Sequence, residues 1–290
     1  MVCREYEQGR FRSLNFKRKD MIMENLLVYK EKFQGIDAMF NLNQNINVIA
    51  GPCSIESYEQ MDRVAKTLVE NDIRFIRGGA FKPRTSPYSF QGLGLEGLKI
   101  IDEIRNKYSL LAISEIMDTK DIELGLKYTD IIQIGSRNME NYQLLKEIGK
   151  TKHPVLLKRG YMATLNEFLL AAEYILSEGN DQIILCERGI RTFENSTRYT
   201  LDISSVAIIM QETTLPLVVD LSHSLGRTDI MPVITKGLLE MGVSSLMFEV
   251  HPNPSCAYSD NNQQLNIDAF LDIVKMIKRK EAISHKEVSI

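Results

Sequence analysis

Six basic side chains follow short apolar runs of the sequence, each close to the point where a run ends. So many cations meeting at one place would repel each other unless anionic groups offset them. Arginine grips phosphate or carboxylate with paired hydrogen bonds, and lysine supplies a point charge. The set therefore predicts a site for a ligand with several negative charges, although each charge on its own could be a solvated surface group. The six residues are Arg77, Lys82, Arg84, Arg137, Lys158 and Arg188.

A second set offers one thiol, one imidazole and two carboxylates: Cys53, His223, Glu249 and Asp260. These groups could together bind one divalent transition metal. Their spacing is long, and a cysteine after an apolar run is more often a small buried hydrophobe. Whether they form a metal site therefore depends on a fold that brings them together.

Three further residues near apolar runs could contribute to such a site or belong to the core. Glu115 directly follows the third run, at a position where other chemistry-capable residues are found. His251 could orient a metal ligand through a hydrogen bond. Cys186 lies within the sixth run, which predicts a core position.

Eight β-rich apolar runs could position these side chains. Most are nearly continuous in apolar residues, as is typical of parallel strands covered on both faces. Stretches with helical periodicity separate them, so the pattern predicts a (β/α)₈ TIM barrel, with an open doubly wound sheet as the alternative. Catalytic groups in such barrels lie at the carboxyl ends of the strands, and strands 1, 7 and 8 become neighbours on closure. The runs are residues 46–50, 73–78, 110–114, 130–135, 154–158, 182–186, 216–221 and 244–250.

The pattern divides the chain into a short N-terminal extension, residues 1–45, and a catalytic barrel domain, residues 46–283. Within the extension, residues 21–40 could form one amphipathic helix that packs on the barrel or on a neighbouring subunit. In the barrel, Thr164 and Glu167 have the spacing of a capping box at the start of a helix. The clearest helical stretches are 58–71, 164–179 and 266–280.

Composition narrows the class of protein. The chain has 290 residues, of which 44% are hydrophobic and 25% charged, as in ordinary globular domains. A net charge of −3 gives no reason to expect nucleic acid as a partner. No apolar run approaches the roughly 18 residues of a membrane span, and the charged N-terminus lacks a secretory core. We therefore expect a cytoplasmic enzyme whose four scattered cysteines are free thiols.

Several contiguous motifs closely resemble 3-deoxy-D-arabino-heptulosonate 7-phosphate (DAHP) synthase, in its shorter I-beta branch. The resemblance covers roughly residues 46–280 and agrees with the predicted barrel. The motifs are AGPCSIES (50–57), RGGAFKPRTSPYSFQGLG (77–94), QIGSRNMEN (133–141), LLKRG (156–160), ILCERGIRTFE (184–194), DLSHSLGR (220–227) and FEVHPNP with YSD (248–260).

This resemblance implies the first step of the shikimate pathway, in which phosphoenolpyruvate condenses with erythrose 4-phosphate. It also implies a homodimer or homotetramer and one divalent metal ion, Mn, Fe, Co or Zn. The implied metal ligands are Cys53, His223, Glu249 and Asp260. The implied phosphoenolpyruvate contacts are Arg77, Lys82, Arg137, Lys158 and Arg188. Arg84 and Thr85, assisted by Ser136, match the acceptor phosphate site. Lys82 would bridge the substrates and deliver a proton, and Glu115 would orient the attacking water.

One departure and two alternatives qualify the resemblance. Leu221 and Ser224 replace the prolines that usually flank the family's metal-binding histidine, which predicts a looser loop. Because the four ligand positions are kept, we expect metal binding to survive, while the metal affinity or the acceptor preference could change. The related 3-deoxy-D-manno-octulosonate 8-phosphate synthase, which uses arabinose 5-phosphate, carries a KANRS-type loop where this chain has KPRTS at 82–86. The other alternative is a non-catalytic anion-binding barrel, which the four ligand positions argue against.

Regulated relatives carry an additional N-terminal module. The residues before the first predicted strand are too few for such a module. We therefore expect no feedback inhibition by aromatic amino acids through a domain of this chain, although a separate protein could supply it.

Overall fold

Eight parallel strands close into a barrel, in the computed structural model, which describes residues 26–29, 36–40 and 46–287. Each strand pairs with the next along the chain, and the first pairs with the last over five residues of each. All eight lie within the apolar runs or extend one residue beyond them, so the predicted (β/α)₈ barrel is confirmed and the open sheet is wrong. The strands are β1 (Asn47–Gly51), β2 (Phe75–Arg77), β3 (Leu111–Glu115), β4 (Ile131–Ile134), β5 (Val155–Lys158), β6 (Ile183–Glu187), β7 (Leu217–Asp220) and β8 (Ser245–Glu249).

Helices surround the barrel. The capping box predicted at the start of α6 is present: the Thr164 side chain accepts from the Glu167 amide, and the Glu167 carboxylate accepts from the Thr164 amide. The helices of the described residues are α1 (Asp37–Phe40), α2 (Tyr58–Val69), α3 (Leu95–Tyr108), α4 (Ile122–Tyr128), α5 (Tyr142–Gly149), α6 (Leu165–Ser177), α7 (Ile203–Glu212), α8 (Leu221–Leu225), α9 (Met231–Glu240) and α10 (Ile267–Glu287).

The strands are apolar along most of their length because both of their faces are buried. Alternate residues such as Val48 and Ala50 pack against the helices, while Ile49 between them points into the barrel. The interior is filled by one buried residue or two from each strand, and Cys186 is among them, as predicted. These interior residues are Ile49, Phe75, Ile113, Ile131, Leu156, Ile184, Cys186, Val218 and Met247.

Residues of the N-terminal extension contact the barrel at two separate places. Ile36 and Phe40 are fully buried among the interior residues, and the Phe40 ring lies 4.9 Å from that of Phe75. The amides of Leu27 and Val28 instead donate to the Glu173 carboxylate on α6, at 2.9 and 3.0 Å.

The prediction of one continuous helix over 21–40 is wrong within the described residues. Leu27–Tyr29 forms a single 3₁₀ turn, and the α-helix begins only at Asp37. The first of these segments is bound to α6 and the second is buried in the barrel interior, so the two do not form the single helix that the amphipathic pattern predicts. Residues 21–25 and 30–35 lie outside the described residues, and the domain boundary at 45/46 stays a prediction. None of the helices in the described parts of the chain is both long and apolar enough to cross a membrane.

Candidate functional site

A cavity of about 330 Å³ opens at the carboxyl ends of the strands. Eleven of the thirteen site residues predicted from the sequence line it. The other two, Cys53 and Glu249, are fully buried and contact residues of the cavity wall. The lining residues are Arg77, Lys82, Pro83, Arg84, Thr85, Ser86, Ser89, Glu115, Gln133, Gly135, Ser136, Arg137, Lys158, Tyr161, Arg188, Arg198, Tyr199, His223 and Asp260.

The alternation of the strands explains why polar side chains meet at this end. A residue two positions after an interior residue points to the same side of its strand. On six strands, the residue two positions after the interior residue is polar. We call these six residues the floor of the site. The six floor residues are Arg77, Glu115, Gln133, Lys158, Asp220 and Glu249.

Three of the four predicted metal ligands converge at one side of the cavity. One donor atom each of Cys53, Glu249 and Asp260 lies within 4.8 Å of the other two. The fourth, His223, has Nε2 3.4 Å from Glu249 Oε1. A thiol, an imidazole and two carboxylates at this separation suit a divalent transition metal, so the residues present fit such an ion.

Basic groups surround these donors. Lys82 Nζ lies 3.0 Å from both the Sγ and the carbonyl oxygen of Cys53. Arg77 pairs with Glu249 at 2.8 Å. Burial, together with the Glu249 charge, raises the pKa of Cys53 to about 12, although the nearby Lys82 charge partly opposes this. The thiol thus needs a strong local positive charge, such as a bound divalent ion, to become a thiolate ligand at neutral pH.

Asp220 fixes the orientation of the His223 ring. The fully buried Asp220 carboxylate lies 2.7 Å from His223 Nδ1 and 2.6 Å from Lys158 Nζ, and it also accepts from the His223 amide at 3.0 Å. Burial opposes its charge, but His223 and Lys158 outweigh burial and hold the pKa of Asp220 well below its usual value. Burial lowers the pKa of His223 despite Asp220 and Glu249, so a neutral imidazole presents Nε2 to the other metal donors.

The two carboxylates of the donor set are connected by an amide. Gln263 Nε2 donates to Glu249 Oε2 at 2.5 Å and lies 3.5 Å from Asp260 Oδ2. Arg198 donates to the Gln263 side-chain oxygen and also pairs with Asp260 at 3.2 Å. Asp260 itself has a left-handed backbone, with φ of +47°. Arg198 and Gln263 thus restrict how these carboxylates can turn.

The remaining basic residues differ in how their charge is offset. Lys158 and Arg77 each contact a buried carboxylate, whereas Arg84, Arg137 and Arg188 form no ion pair within the described parts of the chain. Arg137 donates to the Pro83 carbonyl at 3.1 Å, which places it beside the segment that carries Arg84. Three arginines of the cavity wall thus keep their charge available for an anionic ligand.

Glu115 is held at the end of β3, which is separated from β1 by β2 alone. Its Oε2 accepts from Gln133 Nε2 at 3.0 Å. Gly135 leaves room for this carboxylate, because a Cβ there would lie 2.0 Å from Glu115 Oε1. The carboxylate is thereby fixed at the edge of the cavity.

His251 contacts none of the metal donors through the hydrogen bonds of the described residues. Its Nε2 lies 3.4 Å from Glu56, and its Nδ1 accepts from the Asn253 amide. Glu56 in turn accepts from the Tyr258 amide at 2.8 Å. His251 is thus part of a hydrogen-bond network around the segment that leads to Asp260, and none of the hydrogen bonds of the described residues joins it to a predicted metal ligand.

The loop with the two unusual residues is held by hydrogen bonds. Asp220 caps α8, and Ser224 Oγ donates to the Asp220 carbonyl at 2.8 Å. Leu221 is fully buried in the core. These contacts restrain His223 in place of the prolines, which argues against the looser loop expected from the sequence.

Five residues of the site were missed by the sequence predictions: Gln133, Arg198, Tyr199, Asp220 and Gln263. Asp220 had a usable signal, since an aspartate three residues before a histidine can both cap a helix and orient the ring. Gln133 could have been found by its two-residue spacing from the interior Ile131. The other three lie on irregular loops, where no periodicity indicates which way a side chain points.

Comparison with known proteins gives one family. A family model described as the DAHP synthetase I family matches residues 30–284. A phospho-2-dehydro-3-deoxyheptonate aldolase of Thermotoga maritima is 48% identical over 82% of this chain and 70% of its own length. A 2-dehydro-3-deoxyphosphooctonate aldolase of Syntrophotalea carbinolica is 29% identical over 85% of this chain and 95% of its own.

Two solved structures resemble the fold closely. The crystal structure of the Thermotoga maritima DAHP synthase superposes with a TM-score of 0.79, at 48% identity, over 82% of this chain and 69% of that one. A truncated form of the same organism's enzyme gives a TM-score of 0.76 at 44% identity, over 82% of this chain and 87% of that one.

Proposed function

This chain belongs to the DAHP synthetase I family, and from that premise we propose that it condenses phosphoenolpyruvate with erythrose 4-phosphate and water. The products are 3-deoxy-D-arabino-heptulosonate 7-phosphate and inorganic phosphate. The observation that carries the proposal is a cavity lined both by three arginines that have no ion-pair partner among the described residues and by part of a cluster of thiol, imidazole and carboxylate donors. We propose further that the enzyme works as a homo-oligomer.

Phosphoenolpyruvate carries a phosphate and a carboxylate, and the basic floor and walls of the cavity suit both. Arg137 and Arg188 offer bidentate donors to its anionic groups. Lys158, held against Asp220 at 2.6 Å, supplies a fixed charge at the floor. Arg77 and Lys82 lie between this region and the donor cluster. Holding the ligand in one orientation removes much of the entropic cost of a reaction between two substrates.

The acceptor sugar phosphate fits the segment after β2. Arg84 and Thr85 follow Lys82 and Pro83 in the chain, and Ser136 lines the same cavity. Binding the phosphate there would direct the aldehyde towards Lys82 and the donor cluster. The distance between the two sites then selects the length of the aldose.

The metal expected from the family would be held by Cys53, His223, Glu249 and Asp260. When bound, such an ion supplies Lewis-acid chemistry that polarises a carbonyl oxygen. Burial disfavours the charge of the Lys82 ammonium group, but Glu249 and Cys53, once Cys53 is a thiolate ligand, outweigh burial and raise the pKa of Lys82, so Lys82 keeps its proton. It can therefore donate a hydrogen bond, and then the proton, to the aldehyde oxygen.

The bonds change in an order that leaves no role for an enzyme nucleophile. C3 of phosphoenolpyruvate attacks the aldehyde carbon, and the aldehyde oxygen becomes a hydroxyl on taking a proton. The oxygen of a water bonds to C2 and loses its protons, and the C2–O bond to phosphate breaks. Glu115, fixed by Gln133, is placed to orient this water. Arg137 and Arg188 stabilise the charge on the departing phosphate.

The test is a single assay that follows loss of phosphoenolpyruvate with erythrose 4-phosphate, with arabinose 5-phosphate, or with no sugar. We expect a higher kcat/KM for the four-carbon sugar, because the KPRTS segment and the 48% identity both favour the DAHP enzyme. A preference for arabinose 5-phosphate would support the octulosonate enzyme instead. Absence of turnover with either sugar, after supply of Mn²⁺, Fe²⁺, Co²⁺ and Zn²⁺ in turn, would support a binding protein.

A further inference from the structure

Arg198 and Tyr199 lie on the loop that follows β6 and approach the loop that carries His223. The Arg198 amide donates to the Leu225 carbonyl and the Tyr199 amide to the Ser224 carbonyl, both at 2.9 Å. The approach is close enough to require glycine: a Cβ on Gly226 would lie 2.3 Å from the Arg198 Cβ. The backbone of Tyr199 is therefore held in place independently of its side chain.

The Tyr199 ring covers the guanidinium group of Arg188. The guanidinium carbon lies 4.3 Å from the ring centroid, well inside the range of a cation–π contact. Arg188 is only 5% exposed, yet its Nε and Nη1 have no hydrogen-bond partner in the described parts of the chain. An aromatic ring occupies the face of the guanidinium and leaves the N–H groups along its edge free.

The partner of Arg188 differs in kind from the partners of the other buried cations in the cavity. Arg77 and Lys158 contact the carboxylates of Glu249 and Asp220, which offset their charge. A ring holds a cation without cancelling its charge and without competing for its donors. Such an arrangement is suited to a buried arginine that must bind an anion with its full charge.

We propose that Tyr199 is a positioning residue for phosphoenolpyruvate: it holds the Arg188 guanidinium in the orientation that binds an anionic group of this substrate. The inference rests on the proposed function, since it takes phosphoenolpyruvate as the ligand. It adds a residue that acts through Arg188 and contacts neither reacting atom. The part of Tyr199 to which we assign this role is the aromatic ring. The hydroxyl also interacts with Arg188: burial opposes its ionisation, but the Arg188 charge and a hydrogen bond with Arg188 outweigh burial and lower its pKa.

The experiment measures binding of phosphoenolpyruvate by calorimetry, and KM for each substrate, in Tyr199→Leu and Tyr199→Phe. A cation–π contact at a buried site contributes about 1–2 kcal/mol, which corresponds to roughly a 5- to 30-fold weaker binding of phosphoenolpyruvate in the leucine variant. The phenylalanine variant keeps the ring and loses only the hydroxyl, so it should lose clearly less affinity for phosphoenolpyruvate than the leucine variant. The KM for the aldose should change little in either variant.

Controls separate positioning from general damage. Tyr128→Leu removes a ring that lies 5.0 Å from Lys127 Nζ on α4, outside the cavity, and should leave phosphoenolpyruvate binding unchanged. If the leucine variant does not fold, Tyr199→Gln provides a second side chain without a ring. Native-like binding in either ringless variant would overturn the inference, and so would equal losses in Phe and Leu. Failure of the native protein to bind phosphoenolpyruvate would instead overturn the proposed function.

Discussion

Replacing Asp220 by asparagine should destabilise the protein strongly. The carboxylate is fully buried and contacts Lys158 at 2.6 Å and His223 Nδ1 at 2.7 Å. Asparagine keeps the size and one carbonyl oxygen but loses the charge, so the Lys158 ammonium remains buried without a counterion. Breaking a buried ion pair from one side costs about 3–5 kcal/mol of the free energy of unfolding.

The expected loss corresponds to a fall in Tm of roughly 6–20 °C for a chain of this size. Metal affinity should also fall, by roughly 10- to 100-fold, because the amide can present its NH₂ group to His223 Nδ1 and so favour the wrong tautomer. Thermal unfolding at neutral pH, with the metal concentration held constant, measures the first effect. Titration of Co²⁺, followed by its thiolate absorption, measures the second.

The dependence on pH follows from the depressed pKa of Asp220. A carboxyl group with a lower pKa in the folded state contributes stability that is present above the unfolded pKa, about 3.9, and is lost as the pH falls towards the folded value. The difference in Tm between the native protein and Asp220→Asn should therefore be constant from about pH 5 to 7 and narrow below about pH 4.

The matched control is Asp229→Asn, which breaks an ion pair of similar length, 2.5 Å to Arg227, on the exposed surface. Solvent screens this pair, so its Tm should not change measurably. An Asp220→Asn protein that unfolds at the native temperature would refute the reasoning about the buried pair. An equal fall in Tm for both substitutions would refute the argument that burial of the ion pair determines how much stability is lost.

Three further outcomes are expected. Chelation should abolish turnover of the native protein, and added Mn²⁺ should restore it. Cys53→Ala should show only background activity with or without metal, and full activity of that variant without metal would contradict the metal assignment. Gly135→Ala should lower kcat at least about tenfold, since its Cβ would displace Glu115, whereas Gly237→Ala on α9 meets no atom within 4 Å and should leave kcat unchanged. Thr164→Ala should lower the free energy of unfolding by about 1 kcal/mol, measured in urea, with both KM values unchanged, because it removes only a helix cap.

The barrel could be predicted because its strands are buried on both sides. Runs such as residues 154–158 are apolar without interruption, and the first charged residue marks the end that faces the substrate. Lys158 is therefore identified both as the end of β5 and as a site residue from the same pattern. Glu115 at the end of β3 follows the same rule.

The contacts between loops could not be predicted in this way. Arg198 and Tyr199 reach the site because two loops approach each other, and the glycines that permit this, Gly189 and Gly226, have many other uses in a sequence. Gln263 lies on a third loop, after β8. The single helix predicted for residues 21–40 was wrong for a related reason. An amphipathic pattern states that one face will be buried, but it does not state that Phe40 will enter the barrel interior.

The pairing of β1 with β8 has a consequence for synthesis of the chain. Every strand but the first can pair with a neighbour already made, whereas one edge of β1 stays open until β8 has left the ribosome, roughly 200 residues later. At about 5–20 residues per second this wait lasts on the order of 10–40 s. The two edges that meet last also carry Cys53, just beyond β1, and Glu249, at the end of β8. The donor cluster is thus assembled from residues on both sides of the β1–β8 pairing. A nascent barrel cannot bring the full set of predicted ligands together before β1 and β8 have paired.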